Sequence, residues 1–182
     1  MGRFGFTVFG YDIGDFVIME KYLPAILDRM IKKKKKISYF TGRNRSFDAG
    51  MDAFMRSQKE DKYGDRLNLV KVVPNIVDVG QIGRLQEMYD EVLIVKAVAG
   101  NEAGEDKICE KTDRWLAAAC DLYITVDKRN ICGKADYLSL ALKSGAVTLT
   151  LPDCIYKPAV RKGFFWPDDG FDEIFDGLEK LE

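Results

Sequence analysis

Apolar residues in this chain follow two rhythms. Short continuous runs occur at 4–10 (FGFTVFG), 37–42 (ISYFTG), 67–73 (LNLVKVV), 92–95 (VLIV), 121–126 (DLYITV) and 146–151 (AVTLTL). Each has strand length and is rich in β-branched and aromatic residues, which fit a pleated surface. Between them the apolar positions recur every three or four residues. Leu23, Ile26, Leu27, Met30 and Ile31 form one stripe over 20–34, and Phe47, Met51, Phe54 and Met55 another over 47–58. A third helix is predicted over 105–120, with Ile108, Thr112, Trp115, Leu116 and Ala119 inward, and a fourth over 134–143. Residues 81–90 read as a short helix or loop, and the small, polar stretch 97–104 as a mobile loop. Strands that are apolar without alternation are buried on both faces, as in a parallel sheet between helices. The expected class is α/β: a three-layer, Rossmann-like, mostly parallel sheet of about six strands.

The pattern changes after residue 151. Residues 152–182 hold four Lys/Arg against eight Asp/Glu, with Phe164, Phe165, Trp166, Phe171 and Phe175 among them. This reads as a C-terminal extension packed on a body formed by residues 1–151, with an oligomer contact as another use of its aromatics. The balanced total, 28 Lys/Arg to 29 Asp/Glu over 182 residues, conceals the opposite bias at the start: residues 1–60 carry 12 cations and 7 anions. Five of those cations are the run Lys32 to Lys36, read as a solvated helix end complementing the dipole. A net charge of −1 argues against a general nucleic-acid coat protein.

With no histidine, the chain has no imidazole base, no Ser-His or Cys-His pair and no His-ligated metal. No metal and no cofactor are expected. Cys109, Cys120, Cys132 and Cys154 lack C-x-x-C spacing, so they read as free, buried thiols of a reducing compartment. No secretory leader, myristoylation signal or apolar run of membrane-spanning length is seen, and a cytoplasmic location is the expectation.

In a parallel α/β sheet, ligands bind beyond the carboxyl ends of strands, where unpaired helix amides favour anions. Three connections there are polar or glycine-rich: 10–15 (GYDIGD), 41–48 (TGRNRSFD) and 127–134 (DKRNICGK). The second suits a phosphate best. Gly42 permits a tight turn, Arg43 and Arg45 bring fixed charge, and Ser46 offers a hydroxyl. An exposed loop with surface ion pairs explains the same residues. Gly133 and Lys134 are not a Walker A motif, because Lys128 and Ala135 replace its first Gly and its Ser/Thr. Gly10 and Gly14 likewise miss the dinucleotide fingerprint.

The segment Tyr39-Phe40-Thr41-Gly42, a polar turn, then Phe47-Asp48-Ala49-Gly50 resembles the strand, S/T-G-G-x-x-G-x-D, helix element of the SLOG superfamily. The helix running into 121–126 and the later Gly133-Lys134-Ala135-Asp136-Tyr137 are also similar, and the layout resembles the YpsA-like branch most, with LOG and DprA types more distant. The resemblance spans roughly residues 4–151. It implies a site for a nucleotide or nucleotide-derived ligand, near Gly10, Tyr11, Thr41, Gly42, Arg43, Arg45, Ser46 and Asp48 and near Gly133 and Lys134.

LOG enzymes cleave N-glycosidic bonds of nucleoside monophosphates with P-G-G-x-G-T-x-x-E. Here Lys134 falls at the Thr and Tyr137 at the catalytic Glu. Asp127, Asp136 or Asp12 could still supply the carboxylate such cleavage needs; the same aspartates cap turns and helices equally well. Lys111 and Arg114 are weaker ligand candidates, with a surface ion pair to Glu110 or Asp113 as the simpler reading. The expected function is binding of a phosphate-containing nucleotide or derivative for sensing or regulation. The alternatives are an N-glycoside hydrolase or transferase acting on such a ligand and a single-stranded nucleic-acid binder. A homodimer is compatible with the chain.

Overall fold

The structure is a computed structural model that describes residues 4–10, 13–42, 46–74, 79–95, 105–126 and 135–151. The expected loop 97–104 and extension 152–182 lie outside them. Six strands form one sheet: β1 (Phe4–Phe9), β2 (Ile37–Thr41), β3 (Leu67–Pro74), β4 (Glu91–Val95), β5 (Leu122–Val126) and β6 (Val147–Leu151). Five helices alternate with them: α1 (Ile13–Lys34), α2 (Ser46–Gln58), α3 (Val79–Met88), α4 (Glu105–Ala119) and α5 (Ala135–Lys143). The spatial order is β4-β3-β2-β1-β5-β6, and every neighbouring pair is parallel. The fold is therefore the three-layer, Rossmann-like α/β sandwich.

Side chains at alternate strand positions feed two cores. Phe6, Val8, Tyr39, Leu69, Ile124 and Leu149 meet α1 through Leu23, Ile26 and Leu27, and α2 through Phe47, Met51 and Met55. On the opposite face Phe9 and Tyr123 pack with Ala117 of α4 and Ala141 of α5, while Val72 and Val95 pack with Leu116. Each fully buried Leu, Ile or Phe contributes roughly 1.5–3 kcal/mol, so helices on both faces follow directly from strands without a polar side.

Four details depart from the sequence reading. Helix α1 starts at Ile13 rather than near residue 20, adding two turns that bury Asp15, Ile18 and Met19. Ile13 and Val17 stay exposed there, which blurs the stripe. The inward face of α4 is Thr112, Asp113, Leu116 and Ala117, while Ala119 is exposed. At β4 burial is incomplete: Leu93 is 39% and Ile94 47% exposed, because this strand is an edge. The connection after α2 is a π-helical turn (Lys59–Tyr63) and a 3-10 turn (Gly64–Arg66), elements with no signature in the apolar pattern.

Within α1, Pro24 lacks the amide that would continue the helical ladder. Burial of Leu23, Ile26, Leu27 and Met30 around it offsets that loss, and its carbonyl accepts the Tyr63 hydroxyl at 3.2 Å. Two carboxylates fasten strand starts. Asp121 Oδ2 accepts the Gly5 amide at 2.7 Å, and Asp90 Oδ2 accepts the Leu69 amide at 2.7 Å. Burial pushes the Asp90 carboxyl upward, but the Leu69 amide and Lys59 outweigh it and hold it below the usual carboxylate range.

Past α1 the chain turns through Lys35, whose φ of 64° is left-handed, as its amide bonds to Ile31 at 2.9 Å. An L side chain in that region costs roughly 1–2 kcal/mol, and glycine is free of the penalty. Lys35→Gly is therefore expected to raise the unfolding free energy by about 1 kcal/mol, read as a higher urea midpoint at unchanged slope.

Candidate functional site

The strand order reverses direction at β1. From β1 the chain moves to β2, β3 and β4 on one side, whereas β5 and β6 lie on the other. Helices α1 and α2 cover one face and α4 and α5 the other. The helices that follow β1 and β5 therefore lie on opposite faces of the sheet. This is the topological switch point where open α/β sheets take ligands.

Two of the expected residues stand at the strand ends with no space for a side chain. A Cβ on Gly10 would lie 2.3 Å from the Phe47 ring of α2, and one on Gly42 would lie 2.3 Å from Thr112 Cγ2 of α4. These glycines let one helix on each face press against the ends of β1 and β2. Among the described glycines only Gly64 and Gly145 have positive φ, so Gly42 is needed here for steric closeness; the turn expected after it, residues 43–45, lies outside the described residues.

Around these ends the described polar residues are mostly buried. Thr41 ends β2 at 3% exposure, and the Thr7 hydroxyl donates to the Phe40 carbonyl at 3.0 Å, joining β1 to β2. Asp15 and Asp48 are buried in the first turns of α1 and α2, where a carboxylate complements the helix dipole. Ser46, at the first position of α2, is exposed. On α4, Asp113 is buried one turn before Ala117, the residue that packs on Phe9. Among the described residues no three Asp, Glu or Cys side chains could hold a metal ion.

Asp136 falls in the first turn of α5. Tyr11, Asp12, Arg43, Arg45, Asp127, Gly133 and Lys134 lie outside the described residues. Arg114 pairs with Glu110 at 3.1 Å on the α4 surface, with both side chains half exposed. Lys111 is exposed as well. Cys120 is a free, buried thiol, pushed up by burial and then by Asp121, and so poorly suited to act as a nucleophile.

A polar cluster that the sequence reading missed lies beneath α2. Asp52 accepts the Tyr39 hydroxyl at 3.3 Å on one oxygen. On the other it accepts the Tyr89 hydroxyl at 2.5 Å and Lys71 Nζ at 3.4 Å. The Lys71 and Asp52 side chains are only 6% and 7% exposed. Lys71 Nζ also stands 5.4 Å from the centre of the Tyr89 ring, a cation–π distance. Burial first, and then Asp52, raise the Tyr89 hydroxyl above the ordinary phenol range, so it remains a neutral donor. The signal was present: Lys71 interrupts an apolar strand, and Asp52 sits beside Met51 on the inward stripe of α2.

This arrangement is a buried clamp. It ties α2 to β2, β3 and Tyr89, and so holds the helix whose Phe47 meets Gly10. Removing one member of a buried ion pair costs roughly 3–5 kcal/mol, because the partner is left charged and unpaired. Lys71→Met is expected to destabilise by about 3 kcal/mol in urea unfolding. The double variant Lys71→Met with Asp52→Leu should recover part of that loss, whereas simple additivity would dissolve the clamp.

Comparison of the chain with protein-family models and with curated proteins gives no match.

Proposed function

We propose that the protein binds a nucleotide or nucleotide-derived, phosphate-bearing small molecule at the carboxyl ends of β1 and β5, as a sensor or regulator. The observation that carries this reading is the reversal of strand order between these strands, the position at which open α/β sheets take ligands. All three polar connections picked out in the sequence leave from strands at or beside that reversal: β1, β2 and β5.

Charge then limits how a phosphate is held. Asp15 and Asp48 already complement the positive ends of α1 and α2. A phosphate at those ends meets like charge unless arginine or lysine neutralises it. Arg43, Arg45 and Lys134 are the cations that the adjoining connections supply. Binding therefore depends on these side chains more than on helix amides.

One observation favours hydrolysis as a second reading. The buried carboxylates Asp15, Asp48 and Asp113 stand near these strand ends, and N-glycoside cleavage needs a carboxylate to stabilise the sugar cation.

Thermal-shift titration with nucleoside mono-, di- and triphosphates, cyclic nucleotides and ADP-ribose separates these readings. A ligand at roughly a hundred times its Kd stabilises by about 2.7 kcal/mol, a rise of several degrees. Arg43→Ala and Arg45→Ala should lose that rise while melting like the parent without ligand. Recovery of the intact ligand by chromatography fits the sensor, and a released base fits the hydrolase. No shift with any of these compounds contradicts both.

A further inference from the structure

Taking the switch point as the nucleotide site, we propose that the Tyr137 ring is the platform on which the ligand's base stacks. The site then selects a base-bearing nucleotide over a bare sugar phosphate. Chain direction places the ring. Strands β5 and β6 are parallel neighbours, so α5 between them runs back along the sheet and begins at the carboxyl ends of the strands. Tyr137 is the third residue of α5 and lies at that end. Its ring centre stands 5.4 Å from that of Phe9, the last residue of β1. Phe9 is in turn paired with Thr125 of β5. Tyr137 is thereby set where β1 and β5 meet, at the reversal of strand order.

Packing fixes the ring in advance. Ala141, one turn further along the same face of α5, is fully buried in the cluster that holds Phe9 and Tyr123. Phe9 is tilted 48° against Tyr137, and 31° against Tyr123 at 6.0 Å. Tilted aromatic pairs at such separations attract beyond their buried area. Phe9 and Tyr123 are buried, whereas Tyr137 is only partly so. A ring anchored on a buried neighbour, with part of its surface exposed, loses little freedom when a base is laid on it.

The chemistry of this surface selects the group it takes. Phosphate is answered by charge, and an aromatic ring offers it none. A base presents a π-face and stacks on such a ring whatever its edge carries. Asp15 and Asp48 occupy the first turns of α1 and α2 in one helical layer. The aromatic pair Phe9 and Tyr137 stands at the same end of the sheet in the other layer. The two layers thus offer different surfaces to one ligand, and the uncharged aromatic one suits its base.

Calorimetric titration of the full chain with adenosine, guanosine, cytidine and uridine monophosphates and with ribose phosphate tests this. The parent should bind at least one nucleotide about ten- to a hundredfold more tightly than ribose phosphate, the range that one aromatic stack contributes. Tyr137→Ala should remove that margin and leave ribose phosphate binding near that of the parent. Tyr137→Phe should keep the margin, since the ring stacks rather than the hydroxyl. Should the alanine variant fail to fold, Tyr137→Trp decides. Its added fluorescence should be quenched by the tightest nucleotide and not by ribose phosphate. A parent that binds none of these compounds contradicts the site and the platform with it. Three results overturn the platform and leave the site standing: equal affinity of the parent for nucleotide and ribose phosphate, an unchanged margin in Tyr137→Ala, or no quenching in Tyr137→Trp.

Discussion

A parallel strand has two faces to bury, and β1 meets that demand from the centre of the sheet. Phe6 and Val8 point into the core beneath α1 and α2, while Phe9 points into the core beneath α4 and α5. Covering both faces forces the helices onto opposite sides, and right-handed crossovers then force the chain to leave β1 and β5 in opposite directions. The central switch point is a consequence of that burial. Gly10 and Gly42 admit Phe47 and Thr112 to the strand ends beside it, one from each helical layer.

Charge is spent in two ways within the same sandwich. Under α2 it is enclosed: Asp52 draws together Lys71, Tyr39 and Tyr89, and the pair is shielded from solvent. Such a cluster favours one register of α2 on β2 and β3, because any shift leaves a buried charge without its partner. At the helix starts it is directional: Asp15 and Asp48 sit where backbone dipoles favour negative charge. The two arrangements act on the same helix, one fixing α2 by its middle and the other setting the potential at its tip.

Most of the architecture was legible in the sequence, because strand length, apolar continuity and helical spacing are local properties. What escaped has a physical reason in each case. The first turns of α1 carry exposed Ile13 and Val17 beside buried Asp15, so their polarity runs against their burial. Exposure of β4 depends on strand order, which continuous hydrophobicity does not encode. The Asp52–Lys71 pair was hidden because a lone lysine in a strand and an aspartate in a helix become partners only after folding. At the candidate site, residue types were legible and contacts were not. Gly10 and Gly42 stood out as possible turn formers, yet what each requires is room for a residue 37 or 70 positions away along the chain.

The central claim is positional: a ligand sits where β1 and β5 part, between helices of the two layers. Amide hydrogen exchange, with and without the nucleotide that gives the largest thermal shift, tests that claim directly. Added protection is predicted at Gly10 and Gly42 and in the first turns of α1 and α2, with little change at the opposite ends of the strands. Protection confined to β4, or to the lysine-rich end of α1, would place the ligand elsewhere and contradict the account.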